Sequence, residues 1–280
     1  MTGNMSNFLE ALILDSEFGR TASFSFPSTL YIALFTALPN DAGTGGTEVG
    51  TSGTGYSRLA IANSSTNFDP AASGIKTNKT AWTFATSSSA WGEIVGAGIY
   101  DASSGGNLLW YWEWDQPRVV AANDTMRVEA EEIEWTFSST DPVNDDCTLS
   151  RAVQEDWLDA VFGYPSAPSV PGTLYAALMT TVPDDEDADG VELTGTNYAR
   201  SSIVNSATNW EAYASGLKTN KTQIVWPQAG GSWSSVVGVA FYDASSSGNL
   251  RSKLKLASTQ SWVSGDIPRI AAGQLPIYAE

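Results

Sequence analysis

Four glutamates crowd one short stretch of the chain: Glu129, Glu131, Glu132 and Glu134, next to Trp135. Paired carboxylates are the acid/base machinery of glycoside hydrolysis, where one protonates the leaving oxygen and the other activates water or attacks the sugar. A second acidic run, Asp185-Glu186-Asp187-Ala188-Asp189-Gly190, sets oxygen ligands at alternate positions ahead of a glycine. That is the first half of a calcium loop, but the glutamate that would close it is replaced by Thr196. Asp185, Asp187 and Asp189 are therefore candidate calcium ligands, with a solvated acidic loop as the simpler expectation. Calcium is the one cofactor with a candidate site. A third pattern is aromatic. Trp110, Trp112 and Trp114 alternate along one strand face. Exposed, they would be an interface or ligand platform. The alternative is a core face.

Composition closes off other chemistry. The chain has no histidine, which removes Ser-His-Asp and Cys-His catalysis and histidine metal sites. Cys147 is the only thiol, so an intramolecular disulfide and most zinc sites are excluded. No glycine-rich phosphate loop opens a helix. The formal net charge of −17, without a basic stripe, repels nucleic acid and anionic membranes. The N-terminal apolar stretch carries Glu10 and Asp15 and no basic region, so it is not expected to act as a secretion signal. No apolar run is long enough for a membrane-spanning helix.

The elements that would position these residues occur twice. Ser73-Gly74-Ile75-Lys76-Thr77-Asn78-Lys79-Thr80 returns from residue 215 as Ser-Gly-Leu-Lys-Thr-Asn-Lys-Thr, and Tyr100-Asp101-Ala102-Ser103 returns from residue 242. Both are displaced by 142 positions, too far for a solenoid repeat of about 20–50 residues. The displacement is 144 from Leu30 and Leu174 to Glu48 and Glu192, and 142 from Tyr56 and Tyr198 onward. The first copy thus carries two extra residues in a Gly- and Thr-rich loop.

Each copy opens with an apolar helical pattern, Ser6 to Phe18 and Ser150 to Phe162, with the serines as caps and Gly19 and Gly163 as stops. The runs Leu30–Thr36 and Leu174–Thr180 read as strands buried on both sides. Further short strands follow, separated by Gly, Asn, Ser and Pro, with a hairpin signal at Asp101–Asn107. The expected fold is mainly β: two tandem homologous antiparallel β-sandwich domains, each preceded by a short α-helix. The expected boundaries are 1–140 for the first repeat, 141–149 for a polar linker and 150–280 for the second.

What the copies share is structural in type. Arg58 and Arg200 follow Tyr56 and Tyr198; Asp101 and Asp243 follow tyrosines; Arg127 and Arg269 follow Asp124 and Asp266. Turn aspartates and arginines tied to strand ends or carboxylates account for them. The Lys-Thr-Asn-Lys-Thr segments read as turns before strands. Their Asn-Lys-Thr glycosylation pattern is idle without a secretion signal. Glu129, Glu131 and Glu134 are replaced in the second copy by Ala271, Gly273 and Pro276, so a solvated strand edge is expected there rather than a catalytic pair. The Trp stripe is likewise replaced, by Ser252, Leu254 and Leu256. No enzyme activity is expected.

The order of motifs carries a resemblance. A short helix precedes Leu30-Tyr31-Ile32-Ala33-Leu34-Phe35-Thr36 and Pro39, then Gly43 to Glu48 and Gly55-Tyr56-Ser57-Arg58. Trp91-Gly92, Gly98-Ile99-Tyr100-Asp101-Ala102, Gly105-Gly106-Asn107-Leu108-Leu109 and Asp124 follow. This resembles the small domain of tailed-bacteriophage virion structural proteins of tail-fibre, head-fibre or capsid-decoration type. The resemblance covers most of both halves and departs in the second at Arg251, Ser252, Lys253 and Pro268. It implies a virion component, made in the host cytoplasm, that decorates or cements the capsid or forms a head or tail fibre. Its partners would be other virion proteins and further copies of itself, a trimer by analogy, without nucleic acid or membrane. The alternative is a host-receptor or carbohydrate-binding adhesin module of the phage tail.

Overall fold

A computed structural model describes residues 3–20, 26–137, 149–163, 168–214 and 216–279. Linker residues 141–148, Cys147 among them, and residue 215 of the repeated loop lie outside the described residues. In the first half the elements are β1 (Asn4–Met5), α1 (Asn7–Glu17), β2 (Thr29–Ala37), β3 (Thr47–Glu48), β4 (Leu59–Ala62), β5 (Ile75–Thr77), β6 (Trp82–Thr83), β7 (Gly92–Tyr100), β8 (Leu108–Val120), β9 (Arg127–Val128) and β10 (Glu134–Thr136). The second half runs α2 (Arg151–Val161), β11 (Thr173–Thr181), β12 (Val191–Glu192), β13 (Ser201–Val204), β14 (Lys218–Thr219), β15 (Ile224–Val225), β16 (Trp233–Tyr242), β17 (Leu250–Trp262), β18 (Arg269–Ile270) and β19 (Pro276–Ile277).

The chain is mainly β and antiparallel, with a tandem arrangement of equivalent elements. In the first half β1, β8, β7, β2 and β3 lie side by side, and β4 also pairs with β2. In the second, β12, β11, β16 and β17 do the same, with β13 on β11. Two small ladders accompany each sheet: β5 with β10 and β6 with β9, then β14 with β19 and β15 with β18. The β1 pairing survives in the second half as a single bridge, Leu149 to Ser252.

Local chemistry explains the elements. Ile32 to Phe35 and Ala176 to Met179 are buried on both strand faces, hence their unbroken apolar runs. The β7–β8 hairpin closes where Asp101 accepts hydrogen bonds from the Asn107 backbone and side-chain amides, both at 2.7 Å. Asp243 and Asn249 repeat the arrangement. A Cβ at Gly106 would lie 2.4 Å from the Asp101 carboxylate, and its φ of +74° also demands glycine.

The helices start where expected. Ser6 and Ser150 accept from the backbone N–H of Leu9 and Val153 at 3.3 and 3.4 Å. The same hydroxyls donate to the Leu108 and Leu250 carbonyls, which ties each helix start to the sheet of its own sequence half. At the other end, contacts divide the chain differently from the repeats. One compact unit gathers Met1–Glu10, Phe24–Phe137 and Glu155–Pro168. The other gathers Ala11–Ser23, Ser138–Gln154 and Ser169–Glu280. Each unit is thus completed by the later turns of the helix that opens the other repeat.

In the first unit Phe162 stacks on Trp135 with centroids 4.9 Å apart, among Phe68, Trp82 and Trp110. In the second, Phe18 meets Trp210 at 5.0 Å and Phe241 at 6.2 Å. Such aromatic clusters supply much of the buried area of a small core.

Candidate functional site

The acidic stretch of the first repeat is drawn into local contacts. Glu132 pairs with Arg118, accepts the Trp114 indole N–H at 3.3 Å, and accepts the Glu129 amide at 2.7 Å. Glu129 is exposed and pairs with Arg127 at 3.0 Å. Glu131 is exposed, and Glu134 lies on β10 opposite Thr77. Glu129 and Glu132 are thus held in ion pairs with Arg127 and Arg118.

The acidic run of the second repeat is similarly dispersed. Asp185 faces Lys253 at 2.8 Å, and Asp187 accepts the Tyr242 hydroxyl at 3.0 Å. Asp187 and Asp189 both have positive φ, which sends the chain through a tight turn. Among the described residues there is no group of three or more carboxylate, histidine or cysteine side chains placed to hold a metal ion.

The polar residues reproduced in both repeats converge in space. Arg58 grips Glu48 with two nitrogens, at 3.0 and 2.8 Å, and donates to the carbonyls of Ala102 and Gly105. Its guanidinium lies 3.7 Å from the Tyr100 ring centroid. Tyr56 donates its hydroxyl proton to Glu48 at 3.0 Å and accepts the Leu34 amide at 2.8 Å. Arg200, Glu192, Tyr198 and Tyr242 rebuild the same brace, with Ala244 and Ser247 as carbonyl partners. Burial alone would lower the Arg58 pKa, but the hydrogen bonds and charge of Glu48 outweigh it and hold it above the ordinary value. Burial, joined by Glu48 and Glu192, pushes the Tyr56 and Tyr198 hydroxyls far above the usual phenol range. Each guanidinium nitrogen of Arg58 has a partner inside the fold, so the brace locks a loop, a strand and a hairpin together. Arg127 sits exposed beside Glu129, whereas Arg269 lines a cavity described below.

The Lys-Thr-Asn-Lys-Thr segments are more than turns. Lys76 is fully buried and its ammonium meets Asp159 at 2.6 Å; Lys218 meets Asp15 at 2.5 Å. Burial lowers both lysine pKa values despite the carboxylates. Asn78 and Asn220 are also buried, each donating to two backbone carbonyls and accepting one backbone amide. A buried asparagine with every group engaged is unavailable for glycosylation in the folded chain.

The tryptophan stripe is buried, which overturns its candidacy as an exposed interface. Trp110, Trp112 and Trp114 are 1%, 1% and 3% exposed. Alternation put them on one face correctly, but that face is turned to the core. Trp112 and Trp114 meet edge-on at 6.1 Å, and Arg118 lies 4.7 Å over the Trp114 ring.

The second repeat refills this face unevenly. Opposite Trp110 stands Ile99; at the equivalent pair Phe241 stands opposite Ser252, so a large residue has changed sides. Opposite Trp112 stands Ala97, and the equivalents are Leu254 and Val239, which return little of the lost volume. Trp114 is replaced by Leu256. A cavity of about 520 Å³ lies here; its lining includes Leu254, Leu256, Gln260 and Gln274, and also Trp226 and Trp262, which stand where the first repeat has Phe84 and Val120.

Both sequence halves carry this same scaffold, and a family pattern recognises it twice. The family described as podophage GP4 fiber I protein gp80 matches residues 4–136 and again residues 148–278. The chain belongs to this family. It is therefore a phage fibre-type protein with a structural role in the virion, built as a tandem duplicate. No curated protein matches the chain.

Proposed function

We propose that the chain is a fibre subunit of a tailed-phage particle and acts through protein–protein contacts with other virion proteins and with further copies of itself. The match of the fibre family over both repeats carries this reading. The chemistry of the chain agrees with it. Its reproduced polar residues, Arg58 and Arg200, Glu48 and Glu192, Lys76 and Lys218, are all spent on holding the scaffold. Each compact unit takes the later turns of a helix that begins in the other unit.

Immuno-electron microscopy of intact particles tests the reading. Label along a fibre is the expected result. Label spread over the shell would favour capsid decoration. Label at fibre tips, with antibody blocking adsorption to host cells, would favour the adhesin alternative. Particles without the protein would refute a virion role.

A further inference from the structure

The cavity in the second unit has a template within the same chain. Leu254 and Leu256 stand on β17 where Trp112 and Trp114 stand on β8, and the cross-strand register at Val239 matches that at Ala97. In the first unit the two indoles close this space, with Glu132 accepting the N–H of Trp114 and Arg118 over its ring. In the second, Gln274 replaces Glu132 and Gln260 replaces Arg118, and both line the cavity together with Arg269. The neighbours lose cover accordingly. Val120 and Val128 are 3% and 0% exposed, whereas their counterparts Trp262 and Ile270 are half-buried. The volume of about 520 Å³ falls in the range of about 300–1,000 Å³ typical of ligand pockets.

We propose that this cavity is a docking pocket for a tryptophan side chain presented by a neighbouring virion protein. The fold itself points to the group: at the equivalent place the first repeat carries the indoles of Trp112 and Trp114, while Trp226 and Trp262, which replace Phe84 and Val120, give the pocket aromatic walls for a ring to pack on. Gln274 offers a carbonyl oxygen for the indole N–H in place of Glu132. Arg269 supplies the cation for the ring face in place of Arg118. An aromatic anchor entering a pocket with an apolar floor and a polar rim is the usual form of an interface hot spot. The identity of the partner rests on the virion role proposed above, whereas the pocket's fit to an indole rests on its lining and is tested separately.

The test uses the full chain with methyl-labelled leucine and isoleucine, titrated with N-acetyl-tryptophanamide. Saturable shifts at the Leu254, Leu256 and Ile270 methyls are expected, with a dissociation constant on the order of 1 mM, which corresponds to roughly 4 kcal/mol. N-acetyl-leucinamide and methyl α-glucopyranoside should bind at least tenfold more weakly. Leu254→Trp with Leu256→Trp, which restores the first repeat's own filling, should abolish the shifts at the remaining labelled methyls and raise the melting temperature. Should that pair fail to fold, Leu256→Trp alone must weaken binding severalfold, as must Gln274→Ala. Absence of saturable shifts in the unsubstituted chain would overturn the proposal. So would preference for the sugar, which would mark a saccharide site, or undiminished binding by a folded, filled variant.

Discussion

Replacing Arg251 with leucine while leaving Glu17 in place is expected to destabilise the second unit severely. Glu17 is fully buried and Arg251 nearly so, joined by two hydrogen bonds of 2.8 and 2.9 Å. Removing one member of such a pair leaves an uncompensated buried charge, at a cost of about 3–5 kcal/mol. At roughly 2–8 °C per kcal/mol for units of this size, the melting temperature should fall by about 6 °C or more. The first unit supplies the control. Its equivalent residues are Val161 and Leu109, both buried, so two apolar residues stand in one unit at the positions of the ion pair in the other. The equivalence is supported by shared contacts: Asn63 donates to the Val161 carbonyl as Asn205 donates to that of Glu17. Glu17→Val combined with Arg251→Leu should therefore recover wild-type stability or exceed it by about 1–4 kcal/mol. Urea denaturation of the wild type, both single variants and the double gives the coupling energy. A double variant as unstable as the singles would refute the reasoning. The pair also discriminates between helices, since Glu17 against Leu109, or Val161 against Arg251, would bury a lone charge. The stable double variant should accordingly give more mispaired, oligomeric product on refolding, measured by size-exclusion chromatography.

Lys76→Met should be close to neutral, while Asp159→Ala should cost about 3–5 kcal/mol by stranding the buried ammonium; thermal denaturation distinguishes them. Tyr56, Tyr100, Tyr198 and Tyr242 have pKa values raised by burial, so the folded state keeps protons that the unfolded chain loses above pH 10. That stability is present below pH 10 and is lost as pH climbs toward the raised values; phenolate absorbance should rise in two phases, the second coinciding with unfolding. Lys76 and Lys218 act in the opposite sense: their folded pKa values lie below 10.5, so the cost of burying their charge fades as pH rises through the folded values. The tyrosine loss should dominate above pH 10, because Tyr56 and Tyr198 are displaced furthest; rising stability there would count against this. Chelation with EDTA should leave the melting temperature unchanged, since Asp185 and Asp187 are engaged by Lys253 and Tyr242; a calcium-dependent rise would restore the calcium reading.

The duplication, the helix boundaries, the doubly buried strands and the hairpin at Asp101 to Asn107 were all legible in the sequence. Each follows from interactions within a few residues, or from identity between copies. A serine hydroxyl caps the helix that begins beside it, and a turn aspartate reaches only its own hairpin. The Arg58–Glu48 brace left a weaker mark. Both partners recur in the second copy although the loop between them differs by two residues, a sign that the pair and not the spacing is needed. Tertiary structure decided the rest. Alternation placed Trp110, Trp112 and Trp114 on one face, but which face meets solvent depends on what packs there, here Phe162 against Trp110. The lysines at 76 and 218 read as turn residues because their partners, Asp159 and Asp15, lie in the helix of the opposite sequence half. No local pattern states which sheet a helix will complete. The contacts that join helix to sheet, Glu17 with Arg251 and Lys76 with Asp159 among them, link residues far apart in the chain and acquire meaning only when it is folded.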